Sequence, residues 1–109
     1  MRPINFLQDG LEVDLYYSSH ALERMEDRAV VADLVKDSVI YCADTILDFP
    51  SGTTFVIRDS VGECSCVGII ESAYDISITI ITVINNANIF TAPSDRIIER
   101  NEEGVKLVA

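Results

Sequence analysis

The chain has 109 residues, 49% of them hydrophobic, and 18 acidic side chains against eight Lys and Arg give a formal net charge of -10. That apolar content argues against disorder, and the length suffices for a single domain, 1–109, whose core needs no disulfide or metal. The charge on average repels nucleic acid and anionic membranes and favours basic protein partners, unless a local basic patch outweighs the mean.

In chain order, residues 4–7 and 11–16 flank Asp9-Gly10, a dipeptide favoured in tight hairpin turns. Leu11, Val13 and Leu15 alternate with Glu12 and Asp14, the pattern of a half-buried strand. Pro3 confines the first strand to an edge. Tyr16 and Tyr17 close this strand and put at least one phenol near His20, the only histidine.

From Ser18 the period changes to that of a helix. Ser18 or Ser19 suits the N-cap. His20, Arg24 and Arg28 then fall at about 0°, 40° and 80° around the cylinder, along one edge. Ala21, Leu22, Met25 and Ala29 form an apolar stripe beside them. One helix can thus dock on a core and hold three nitrogen-bearing side chains at its rim. The plain alternative is that Arg24 and Arg28 form exposed ion pairs with Glu23, Glu26 and Asp27. A second helix over 31–42 follows from Val31, Leu34, Val35, Ser38, Val39 and Cys42, making a helical hairpin over about 19–42 joined at 28–30.

An antiparallel sheet is predicted over about 45–90. It begins with a short strand at 45–49, ended by the Pro50-Ser51-Gly52 turn, and continues through 53–58. Residues 64–70 form the next strand, in which Gly68 marks a bulge or a close approach. The β-branched run 76–84 suits a central strand buried on both faces. Strict alternation puts Thr82 on one face with Ile76, Ile78 and Ile80. Ile89-Phe90 reads as a last short strand. Pro93-Ser94-Asp95 as an entry and Gly104 as an exit predict a C-terminal helix or tail over 94–109.

Three cysteines, Cys42, Cys64 and Cys66, lack metal-knuckle spacing, and with one histidine a four-ligand site needs a carboxylate or a second subunit. Buried, reduced thiols are expected, with no metal and no cofactor. No basic-then-apolar leader and no apolar run near ~18 residues occur, which predicts a cytoplasmic protein without a membrane span.

The order of hairpin, two helices and sheet, with His20-Ala21-x-x-Arg24-Met25-x-x-Arg28-x-Val30, resembles a family of small bacterial and phage proteins of unknown function. That family is related to the RelE/ParE toxin superfamily, within the barnase–EndoU–colicin–RelE group. Its signature is a His-Ala pair, an Arg-Met pair, a second Arg, usually Gly, then Ile or Val. The likeness is sharp over 18–40, only patterned over 53–84 and absent elsewhere, and Ala29 stands where the family usually has Gly. The resemblance implies an α+β fold with two helices packed on a curved antiparallel sheet. It also implies metal-independent RNA cleavage by a toxin-like endoribonuclease, with RNA or the ribosome as target and a protein antitoxin as partner. Carried over, His20 is the acid/base and Arg24 and Arg28 handle phosphate, with Arg58 and Thr82 as substrate-binding additions from the sheet. A helix N-terminus favours neutral imidazole and attracts phosphate, and guanidinium forks suit phosphate oxygens.

Composition points another way. An acidic chain with little sheet cation beyond Arg58 fits a non-catalytic interaction module, phage- or mobile-element-encoded, binding a basic host protein. Edge strands and the apolar tail also allow a homodimer without a separate target.

Overall fold

The protein, seen in a computed structural model that describes residues 3–86 and 91–109, opens with the hairpin of β1 (Ile4–Gln8) and β2 (Leu11–Tyr17). Asp9 and Gly10 both take positive φ, 50° and 82°, the geometry of a two-residue turn matched to strand twist. Three helices follow: α1 (Ser19–Asp27), α2 (Ala32–Tyr41) and α3 (Ala43–Leu47). The remaining strands are β3 (Thr54–Asp59), β4 (Cys64–Glu71), β5 (Ile76–Ile84), β6 (Arg96–Asn101) and β7 (Gly104–Leu107). Among the described residues the strands form one curled seven-stranded sheet in the order β1-β2-β5-β4-β3-β6-β7.

Four expectations need correction. The sheet is mixed, because β2 runs parallel to β5 and β3 parallel to β6. Strand β5 slots between β2 and β4, where its β-branched side chains gain neighbours on both edges. The predicted strand at 45–49 is instead α3: Ala43 and Ile46, three apart, are both buried, and the Ile46 N–H donates to the Cys42 carbonyl. Tertiary burial of one helical face overrides the β preference of Thr45 and Ile46. The predicted helix over 94–109 is the β6–β7 hairpin. Ile98 is buried in register with Ile57, and the Glu102-Glu103 turn leads into Gly104 at φ 129°. The Pro93-Ser94-Asp95 segment makes a turn in which the Asp95 carboxylate accepts from the Ala92 N–H. Lastly, β5 is buried on one face only; its other face is half-buried, and Ile81 is exposed. The strand expected at Ile89-Phe90 lies outside the described residues.

The core joins one face of the sheet to the helices. Val13, Leu15, Phe55, Ile57, Ile70, Ile78, Ile80 and Ile98 cluster with Ala21 and Met25 of α1, Val35 and Val39 of α2 and Ile46 of α3. Each large aliphatic so buried contributes about 1.5–3 kcal/mol of transfer free energy. Gly68 sits under the Phe55 ring, where a Cβ would come within 2.6 Å of the ring's tip. The register slips there, between Val67 and Gly68, so that Ile81 of β5 has no partner. Beyond that bulge the alternation reverses: Val83 is buried with the helices and Thr82 pairs with Val67 on the far face. No helix among the described residues is long and apolar enough to cross a membrane.

Candidate functional site

Helix α1 is fixed to β5 at both ends. Ser18 caps it, its Oγ accepting from the Ala21 N–H at 3.0 Å. The same residue donates from its backbone N–H to the Ile80 carbonyl and from Oγ to the Ile81 carbonyl. At the other end Arg28 Nη1 donates to the Val83 carbonyl at 2.6 Å. Strand β2 pairs with β5 only as far as Ile80, so α1 supplies donors to the stretch of β5 that β2 is too short to reach.

This geometry places the predicted site residues as follows. His20 is exposed near the N-terminus of α1 and takes no hydrogen bond or ion pair among the described residues. Arg24, half-buried, pairs with the exposed Asp27 at 3.6 Å. Arg28 is half-buried against β5. The three share a helix edge, and the two guanidiniums have separate anchors. Tyr17 is buried and donates to the Ala32 carbonyl at 3.2 Å, beneath the α1–α2 junction. Arg58 and Thr82 lie on the face of the sheet turned away from the helices. Their partners Ser65 and Val67 alternate with Cys64 and Cys66, which face the core. Arg58 is also in register with Glu99 of β6.

A second polar centre lies at the C-terminal ends of β3 and β6. Asp59 is fully buried. Its Oδ1 accepts from the Val61 and Gly62 N–H groups, each at 2.9 Å, and its Oδ2 accepts from Ser38 Oγ of α2 and from Arg100 Nη1 at 3.0 Å. Arg100 in turn stacks on the Tyr41 ring, 3.7 Å from its centroid. One carboxylate thereby ties a turn, a helix and a neighbouring strand. Removing either partner of such a buried pair leaves an uncompensated charge, at a cost of about 3–5 kcal/mol. The sequence signal for it is an Asp at a strand end followed by Ser-Val-Gly, the composition of an Asx turn. Nothing in the sequence announces Arg100 or Ser38 as its partners, because they lie far along the chain.

The thiols around this centre are poor nucleophiles. Burial pushes Cys42 up to about 12, with the Asp59 charge adding to it, and burial likewise raises Cys64 and Cys66. All three stay protonated at neutral pH. Among the described residues no three His, Cys, Asp or Glu side chains are grouped to hold a metal ion.

Arg100 and Tyr41 also border a cleft of about 370 Å3 between the end of α2 and the β6–β7 hairpin. Val61, Val105, Glu102 and Glu103 also line it. Comparison of the chain with family models, curated proteins and solved structures finds no match.

Proposed function

We propose that the protein is a non-catalytic acidic module that binds a basic protein partner. The observation that carries this reading is the outer side of the helical layer. Glu23, Glu26 and Asp27 of α1, Asp33 and Asp37 of α2, and Asp44 and Asp48 at α3 are all exposed there. The cations of the same layer, Arg24, Arg28 and Lys36, are half-buried, and Arg28 is spent on a sheet carbonyl. The three helices bury their apolar sides against one face of the sheet, so these carboxylates share one surface. Such a field draws a basic partner in and sets its orientation. The test is titration with a lysine- and arginine-rich peptide. Binding at about 20 mM salt that weakens at least tenfold by about 200 mM is expected, because screening shortens the reach of exposed charges. No binding at the lower salt removes the reading.

The competing reading is a RelE/ParE-like endoribonuclease. It draws support from the exposed imidazole at the start of α1, with Arg24 and Arg28 behind it on the same edge. It requires a cationic pocket for the scissile phosphate. Expression in bacteria beside a His20→Ala/Arg28→Ala double mutant decides it. Growth arrest and RNA loss with the native chain alone would establish the nuclease, and equal growth with intact RNA in both would dismiss it.

A further inference from the structure

We infer that the cleft between the end of α2 and the β6–β7 hairpin receives a basic side chain of the protein partner, arginine or lysine. The inference rests on the acidic-module reading and names where that partner is gripped. The cleft has the two parts such a side chain needs. Tyr41, Val61 and Val105 are 64%, 48% and 36% exposed and offer an apolar bed for an alkyl stem. Glu102 and Glu103, exposed in the hairpin turn that lines the cleft, offer carboxylates for the cationic head. At about 370 Å3 the space is at the small end of ligand sites, in keeping with one long side chain.

Arg100 is the one cation among the described lining residues, and it does not turn the cleft into an anion site. Its Nη1 is committed to Asp59 and its plane lies on Tyr41. An entering anion would also meet Glu102 and Glu103. The bed is also stiff, because the Asp59 carboxylate holds Arg100, the turn carrying Val61, and α2 through Ser38. A stiff apolar slot lined by carboxylates loses little side-chain entropy when it is filled. A second hollow, lined by Ser60, Asn101, Glu102 and Glu103, flanks the same turn, so the same two acidic residues line both recesses.

The experiment is a titration of the full chain with a twelve-residue peptide alternating arginine and alanine, followed by calorimetry and by amide chemical shifts. The largest shifts are expected at Tyr41, Val61 and Val105. A Glu102→Gln/Glu103→Gln variant is expected to bind about tenfold more weakly, the scale of one or two favourable charge contacts. Glu12→Gln/Asp75→Asn removes the same charge from the opposite end of the sheet and is expected to change affinity by less than about twofold, as screened distant charges do. Peptide binding that is equally strong in the Glu102→Gln/Glu103→Gln variant overturns the cleft while leaving the acidic-module reading standing. Absence of peptide binding to the native chain overturns both. Shifts at the cleft caused by inorganic phosphate, or by raising protein concentration without peptide, would name an anion or a second copy as the occupant and so overturn the inference.

Discussion

Ala29 carries the most informative backbone angle in the molecule. Its φ is 53°, in the left-handed region that costs a residue with a Cβ about 1–2 kcal/mol. The strain is held by the helix ending around it. The Val30 N–H donates to the Met25 carbonyl and the Ala29 N–H to the Glu26 carbonyl, the paired bonds of a Schellman motif, with Met25 and Val30 both buried. Ala29→Gly is therefore expected to stabilise the protein by about 0.5–1 kcal/mol, the relief of strain less the added freedom of the unfolded chain. A higher urea midpoint with an unchanged slope would show it. Tyr17 supplies a second expectation. Burial raises its phenol from 10.0 to about 12, and burial likewise raises Cys42 from 9.0 to about 12. A raised folded value means that the contribution is complete below the unfolded value and is lost as pH climbs through the folded one. Stability is thus expected to fall above about pH 9 and more steeply between 10 and 12. Tyr17→Phe should remove the steeper part in urea unfolding followed across that range.

The elements were legible in the sequence where a local pattern and its tertiary setting agree. Asp9-Gly10 specifies its turn whatever surrounds it. Ser18 caps α1, and of the expected apolar stripe Ala21 and Met25 face the core, whereas Leu22 and Ala29 are exposed. The pattern misleads where register or long-range pairing decides. Thr82 cannot be assigned a face until the slip at Val67 and Gly68 is known, and that slip lies beside a ring of β3, outside both paired strands. Helix α3 hides because Thr45, Ile46 and Leu47 read equally well as strand when only five residues are available. In β6, Arg96-Ile97-Ile98-Glu99-Arg100 carries no alternation strong enough to outweigh a helix entry signal upstream. Its identity comes from β3, with which it pairs in parallel. The candidate site divides likewise. His20, Arg24 and Arg28 are visible as a helix edge in the sequence, but that Arg28 is bonded to β5 is a fact of tertiary structure.

At the scale of the whole molecule, charge is unevenly distributed. Among the described Lys and Arg residues only Arg96 and Lys106 are widely exposed, whereas most of the carboxylates are. A surface of one sign resists compaction through self-repulsion, and mobile ions relieve it. Raising sodium chloride from about 20 to 200 mM is expected to lift the thermal midpoint by a few degrees, on the scale of about 1 kcal/mol for a domain of this size. Calorimetry at both salts would check it. The sign is opposite to that expected for binding a basic peptide, so one ionic-strength series separates the effect on folding from the effect on recognition. The way α1 lies against β5 has a consequence for how the molecule comes apart. A helix at a protein's surface can ordinarily fray turn by turn, because water replaces whatever it gives up. Here detachment would bare the carbonyls of Ile80, Ile81 and Val83 in a single step, in the middle of the sheet. Opening of α1 is thereby tied to opening of the sheet's interior, and the two should exchange their amide hydrogens with solvent as a single cooperative unit.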